Sequence, residues 1–209
     1  MNSNRDDMDN KTFEFYDHYA SQGAIGSEAA HSAVSQYFAR AFKAGGRVLD
    51  VGAGSGRDLA VLRQMGFDAY GLEPNDTMRA FALRTHPELA GRLQAGALPA
   101  IGVPFGSPFD GIACSAVLMH ISQNELPRCA QSLRALLNPG GRVLFTLPSM
   151  RADLLNSDRD PDGRIFNNHT PEELTRHLGA VGLSFIGNWD NGEHANTRWL
   201  TLLFELPGG

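Results

Sequence analysis

The stretch Arg47-Val48-Leu49-Asp50-Val51-Gly52-Ala53-Gly54-Ser55-Gly56-Arg57-Asp58 constrains this chain more than any other. An apolar run of β type ends at Asp50 and Val51, glycines follow at alternate positions, and a helical pattern of Leu59, Val61, Leu62 and Met65 begins at once. Strand, glycine turn and helix in that order present main-chain N–H groups to a ligand at the carboxyl end of a strand in an α/β sheet. Gly52, Gly54 and Gly56 lack a Cβ, so they can take a positive φ and let a ligand lie against the main chain.

The spacing separates two kinds of ligand. In the dinucleotide fingerprint Gly-x-Gly-x-x-Gly the third glycine slot is occupied here by Arg57. An acid two places before Gly-x-Gly-x-Gly instead resembles motif I of the class I S-adenosyl-L-methionine (SAM)-dependent methyltransferases. Glu73 closes the next β-type run, Asp68-Ala69-Tyr70-Gly71-Leu72, about where the ribose-binding acid of either family falls. A carboxylate accepts hydrogen bonds from both ribose hydroxyls, so its chemistry fits either cofactor.

At 209 residues with 42% hydrophobic content, the chain suits one domain with a sizeable core. A net charge of −5 argues against a broad nucleic-acid footprint. No apolar run approaches the ~18–20 residues of a membrane span, and the polar N-terminus is not that of a signal peptide, so a cytoplasmic location is expected. Cys114 and Cys129 form no metal-ligand spacing and read as free thiols. Residues 1–10 are polar and read as disordered, and 11–209 as a single domain with a helical lid over about 11–43.

Thr12 to Ala20 is rich in aromatics and reads as a short helix. It resembles the Tyr-Asp-x-x-Ala entry segment of many small-molecule methyltransferases, which folds over the cofactor with a tyrosine near its methionine end. Tyr16 would fill that role and Tyr19 would face the substrate, or the aromatics would simply pack against the domain. Ser27 to Phe42 reads as a long amphipathic helix capped by Ser27, with Ala30, Val34, Tyr37, Phe38, Ala41 and Phe42 on one face. After Glu73, Pro74 breaks the strand and Asn75 or Asp76 starts a helix. In the family this corner flanks the adenine, with Met78 as an apolar wall or as core.

Arg92 to Pro99 resembles the family's third-strand segment, which often reads Gly-Asp-Ala-x-x-Leu-Pro. The slot of the aspartate that commonly binds the adenine amino group is Gly96 here. Either main-chain groups of Gly96 and Ala97 hold the adenine, or cofactor binding is weaker. Phe109 to Ile121 resembles the fourth-strand motif, with Met119 and His120 in place of a histidine pair. A buried parallel strand accounts for Ile112 to Cys114, and Ser115 to His120 would cross the top of the sheet beside the transferable methyl.

The same stretch excludes other chemistries. It has Cys-Ser-Ala-Val where amino-methylating enzymes carry Asn/Asp-Pro-Pro-Tyr, and Cys114 lacks the preceding proline of the cytosine C5 nucleophile. His120 is the candidate general base or substrate contact, since an unperturbed imidazole titrates near neutrality; a structural histidine is the competing account.

Ser122 to Leu137 reads as a helix that tolerates Pro127 in its first turns. Asn138-Pro139-Gly140-Gly141 resembles the family's turn into a fifth strand, Arg142 to Leu147. Pro148 to His169 is longer than a routine connection, and its Arg151, Arg159 and Arg164 offer fork-shaped donors to an anionic acceptor. Asp153, Asp158, Asp160 and Asp162 could instead pair with those arginines. Thr170-Pro171-Glu172-Glu173 opens a helix to about Ala180, and Asp190-Asn191-Gly192 reads as a hairpin turn between two closing strands. Asp190, Glu193 and His194 read as solvated charge, and no metal site is expected.

The resemblance implies a Rossmann-like α/β fold: a seven-stranded, mostly parallel sheet of order 3-2-1-4-5-7-6, strand seven antiparallel, flanked by helices. It implies SAM held by Asp50, Gly52, Ala53, Gly54, Gly56, Glu73, Pro74, Asn75, Met78, Gly96, Ala97, Leu98, Cys114 and Ser115, with Tyr16 over it. Tyr19, His120, Arg159 and Arg164 would face a small polar acceptor, which is methylated with release of S-adenosyl-L-homocysteine. A methyltransferase acting on tRNA or protein, a SAM-binding protein without catalysis, and a nicotinamide oxidoreductase are the competing readings. The acceptor atom and the oligomeric state are not legible.

Overall fold

The structure is a computed structural model that describes residues 9–22, 32–151, 154, 157–194 and 197–208, without the side chains of Met150, Arg151 and His194. Of the disorder expected over residues 1–10, residues 1–8 lie outside the described residues, as do the cap at Ser27, Ala30 and Asp153, while Asp9 caps and Asn10 opens the first helix.

The strands are β1 (Arg47–Val51), β2 (Asp68–Leu72), β3 (Leu93–Gln94), β4 (Phe109–Ser115), β5 (Leu137–Arg151), β6 (Ser184–His194) and β7 (Thr197–Glu205). They form one sheet of order β3-β2-β1-β4-β5-β7-β6. Pairing is parallel from β3 through β5, and β7 runs antiparallel to both β5 and β6. This is the order and the reversal that the resemblance implies.

Side chains on a strand alternate between faces, and successive residues here enter two different cores. Leu49, Ile112, Cys114, Val143, Phe145, Leu202 and Phe204 point to one face, where they meet α5 (Leu126–Ala135) and α6 (Pro171–Gly179). Val48, Ala113, Leu144 and Leu203 point to the other, under α2 (Phe38–Ala41) and α3 (Arg57–Gln64). Gly111 is what lets the second layer close, because a Cβ there would lie 2.4 Å from Cδ1 of Phe42. A third small cluster joins α1 (Asn10–Ser21) to α4 (Asp76–Thr85) through Tyr16, Tyr19, Ala20, Met78 and Phe81.

Register puts the glycine corner where it can act. Val51 pairs with Leu72, so Gly52 and Glu73 leave neighbouring strands side by side. Asp50 pairs with Ala113 of β4, which sets the segment after Ser115 on the other flank of the same corner.

Several expectations are corrected. Among the described residues, the long helix ending at Phe42 is a 3₁₀ turn, Ser35–Tyr37, followed by the single turn of α2. Serine side chains compete with the helix there: Ser35 Oγ bonds the Ser32 carbonyl and Ser32 Oγ bonds Asp58. The third strand shrinks to two residues, and the Ser122 helix begins as a 3₁₀ turn with α proper from Leu126. Asn138 to Gly141 belongs to β5 as a register shift against β4. Asp190-Asn191-Gly192 is a bulge inside β6, which continues to pair His194 with Thr197. Its Asx turn is real, with the Gly192 N–H on Asp190 Oδ1, but Asn191 also bonds Thr201 and Tyr37, which holds the bulge in the sheet.

Candidate active site

The glycine corner bends as its sequence requires. Gly52, Gly54 and Gly56 have φ of 76°, 53° and 79°, in the region that disfavours any side chain. The glycines do different jobs, however. A Cβ at Gly52 would collide with Cγ2 of Val117 at 2.3 Å, and one at Gly56 with Cδ1 of Leu89 at 2.9 Å. Those two vacancies are taken by the protein itself. Around Gly54 the nearest atom is the terminal methyl of Met78 at 3.5 Å, the far end of a flexible side chain.

Glu73 is buried at the end of β2, and each of its oxygens has a main-chain partner: Gly54 N–H at 3.0 Å and Asn75 N–H at 2.9 Å. The carboxylate therefore fixes the glycine loop to the next corner. Burial raises its pKa above the ordinary value, and the two N–H bonds pull it part of the way back. Asp50 is also buried, and its Oδ2 finds no hydrogen-bond partner among the described residues. Burial, then the charges of Asp58 and Glu73, push its pKa well up. A buried acid with an unpartnered oxygen can take a hydrogen bond from a donor that the described residues do not supply.

Asn75 caps α4 by accepting the Met78 N–H, and its amide reaches the Phe13 carbonyl on α1 at 3.4 Å. Thr77 Oγ1 bonds Asp17 at 2.5 Å. Thus α1 lies over the Glu-Pro-Asn corner, with Tyr19 packed against the small cluster of Ala20 and Met78 and stacked on Phe15.

On the opposite wall, Gly96 is packed so closely that a Cβ would lie 3.1 Å from Leu72 Cδ2. A side chain there would need the end of Leu72 to give by a few tenths of an ångström. Leu98 and Cys114 are buried in the core, and burial drives the Cys114 thiol far above its ordinary value. Only their main chains can face a ligand, which Cys114 was expected to reach. Ser115 Oγ is tied to Thr146 Oγ1 at 2.9 Å, and the following residue, Ala116, has a φ of 56°.

His120 sits at the end of this crossing. Its Nδ1 lies 2.6 Å from the carbonyl oxygen of Ile165, which can only accept, so Nδ1 carries the proton. Nε2 is then the acceptor for the Tyr16 hydroxyl at 3.0 Å. Burial lowers the imidazole pKa to about 4, so the ring is neutral near pH 7. The structure thus joins Tyr16 and His120 by a bond that neither segment announces in sequence.

The arginines expected to face an acceptor are engaged. Arg164 binds buried Asp160 through Nε and Nη2, both at 2.7 Å, and stacks its guanidinium 4.2 Å from the Phe15 ring centroid. Arg159 leaves its own loop to bind Asp9, the residue that caps α1. Asn167 and His169 were missed by sequence reading; their side chains hold the Met119, Leu118 and Ile121 carbonyls of the turn bearing His120. No signal but a run of hydrogen-bonding residues marked them. Among the described residues no helix is long and apolar enough to cross a membrane, and no cluster of His, Cys, Asp and Glu could hold a metal.

Comparisons with known proteins agree with this geometry. A family profile described as a methyltransferase domain matches residues 16–186. An uncharacterized methyltransferase of Staphylococcus carnosus is 27% identical over 143 residues, which cover 68% of this chain and 65% of that protein. A protein-L-isoaspartate O-methyltransferase of Methylorubrum populi is 33% identical over 149 residues, 69% of this chain and 67% of the relative. Other curated relatives are matched over only about half of their length, for example 52% and 47%. Among solved structures, the Burkholderia thailandensis 1,6-didemethyltoxoflavin-N1-methyltransferase, bound to 1,6-didemethyltoxoflavin and S-adenosylhomocysteine, superposes with a TM-score of 0.72. It is 19% identical, over 90% of this chain and 83% of that one, a likeness of fold.

Proposed function

The chain belongs to the methyltransferase-domain family, and from that premise we propose that it transfers the methyl group of SAM to a small polar molecule. The observation that carries the reading is the pairing of two buried acids at one corner, Glu73 bound to the Gly54 and Asn75 amides and Asp50 with a free oxygen. The remaining lone pairs of Glu73 suit the ribose hydroxyls, and Asp50 suits the cofactor's ammonium group. Main-chain groups of Gly52, Ala53, Gly54 and Gly56 line the approach, Pro74, Asn75 and Met78 flank the adenine on one side, and Gly96, Ala97 and Leu98 on the other. Cys114 and Ser115 contribute main chain, and Tyr16 covers the methionine end.

SAM supplies a methyl already activated by its sulfonium. The protein's part is to align the acceptor and exclude water. Helix α1 covers the corner, and the Tyr16–His120 pair marks where the acceptor enters. Being neutral, His120 can accept a hydrogen bond from the acceptor at Nε2 as Tyr16 gives way and so orient it toward the methyl, while the Ile165 carbonyl holds Nδ1–H and keeps Nε2 as the accepting nitrogen. Tyr19 borders the same entry. Arg159 and Arg164 support it through Asp9 and Asp160 instead of reaching the acceptor, which favours an acceptor without a strong negative charge. A cytoplasmic enzyme acting on neither membrane nor nucleic acid is consistent with a net charge of −5.

The isoaspartyl relative supports a second reading, methylation of a protein carboxylate. Methyl-labelled SAM incubated with the protein and, separately, with a small-metabolite fraction, a protein fraction, total RNA and an isoaspartyl peptide discriminates them. Label in the metabolite fraction is expected. Label confined to the protein fraction or the peptide establishes the second reading, and label confined to RNA removes both. SAM that fails to bind removes methyl transfer altogether.

A further inference from the structure

Helix α1 is held by more than its apolar face. Asp9 accepts the Thr12 N–H at 2.9 Å, and the same carboxylate takes both terminal nitrogens of Arg159, Nη1 at 2.9 Å and Nη2 at 2.7 Å. Arg159 Nη1 also donates to the Gly163 carbonyl at 2.7 Å, which closes the loop after β5 around the pair. The hydroxyl of Thr12 is fully buried; it donates to Asp9 Oδ1 and accepts the Ile165 N–H, each at 2.9 Å. Ile165 then turns its carbonyl the other way, to His120 Nδ1. Thr12 and Tyr16 are four residues apart on a helix and share a face, so the ring closes when the Tyr16 hydroxyl meets His120 Nε2.

From this closed ring we infer that Asp9, Thr12 and Arg159 are positioning residues: they latch α1 to the loop after β5 and thereby set the Tyr16–His120 pairing at the acceptor entry. The inference rests on the functional reading only in giving that entry its role. A guanidinium suits the task because its planar fork matches both carboxylate oxygens, which an ammonium cannot do. The latch also accounts for an arginine that sequence reading offers to the acceptor. With both terminal nitrogens engaged, Arg159 acts on the reaction through α1.

The test uses the full chain and two readouts. The first needs no cofactor: the His120 imidazole followed by NMR as pH is varied. His120 is faced by Tyr16 and, further off, Asp9 from the α1 side, and by Arg164, Asp160 and the Ile165 carbonyl from the loop, with the Phe166 ring beside it. In Arg159→Gln, loosening α1 exposes the Tyr16 side of the ring, so the His120 midpoint should move up from about 4 toward its ordinary 6.5. The second readout is steady-state kinetics, where kcat should fall about tenfold or more while the acceptor KM changes less than about twofold. Arg159→Lys should recover only part of kcat.

A raised acceptor KM with unchanged kcat overturns the inference and returns Arg159 to acceptor binding. An unchanged His120 titration in a folded Arg159→Gln protein overturns it as well. Should that variant not fold, near-isosteric Asp9→Asn carries the same test. Because the titration is read without SAM, failure of the latch and failure of the methyl-transfer reading are distinguishable.

Discussion

Two acids at one corner carry different burdens. Glu73 is structural and functional at once, since its oxygens already hold the Gly54 and Asn75 amides. Glu73→Ala removes the ribose contact and loosens the loop, so SAM affinity should fall by about 1.5–3 kcal/mol, roughly ten- to hundredfold in Kd. Calorimetry on a variant whose fold is verified by circular dichroism reads this directly, and unchanged affinity refutes the assignment. Asp50 is different: burial keeps its carboxyl protonated more readily than an ordinary aspartate. A cation placed beside it favours the ionised form, so SAM binding should release a proton. The binding enthalpy should then depend on the ionisation enthalpy of the buffer, and Asp50→Asn should abolish that dependence. Equal enthalpies in all buffers for the wild type would show that Asp50 does not meet the ammonium group. Both acids were legible, because strand, glycine turn, helix, strand and acid are local and ordered signals. The Tyr16–His120 contact was not, because its partners lie 104 residues apart and nothing in either segment names the other.

Among the elements, the crossing after β4 is held in an uncommon conformation by β5. Ala116 is left-handed, and its N–H reaches Thr146 Oγ1 at 3.0 Å while Ser115 Oγ pairs with the same hydroxyl. A non-glycine residue in that region costs on the order of 1–2 kcal/mol, so the neighbouring bonds must hold it there. Thr146→Val keeps the shape and removes the hydroxyl; it should cost about 1–2 kcal/mol in denaturant unfolding. Adding Ala116→Gly should recover part of the loss by removing the strain. A Thr146→Val protein of wild-type stability would show that the crossing is held by other contacts. Sequence reading found this crossing but not its brace, since a threonine in a buried strand looks like any other. The Asp190-Asn191-Gly192 bulge was misread for the opposite reason. Its turn chemistry is plain, but the same chemistry serves a hairpin or a bulge, and only the pairing of β6 with β7 decides between them.

For the molecule as a whole, the two-faced sheet supplies the core, and the lid network makes stability sensitive to acid. The pKa of His120 is about 4 when folded and an ordinary 6.5 when unfolded. As pH falls through 6.5 the unfolded chain takes up the proton first, so the contribution of His120 is complete above 6.5 and is lost between 6.5 and about 4. Converted at ~1.4 kcal/mol per pH unit, the difference bounds the effect at about 3 kcal/mol. Melting temperatures of wild type and His120→Gln compared from pH 7 to pH 4 isolate it: the wild type should lose more stability across that window. Parallel pH profiles would show that the ring is not buried as a neutral group. The ring through Ile165 also has a consequence for the order in which the molecule is made. Helix α1 is made well before the loop that holds it, since Arg159 and Ile165 lie 150 and 153 residues downstream of the residues they hold. The glycine loop and Glu73 are followed closely by α4, but the far wall waits for β4, and the cover over both waits for the loop after β5. Until that loop is made, α1 has no partner for Asp9 or Thr12 outside its own turn.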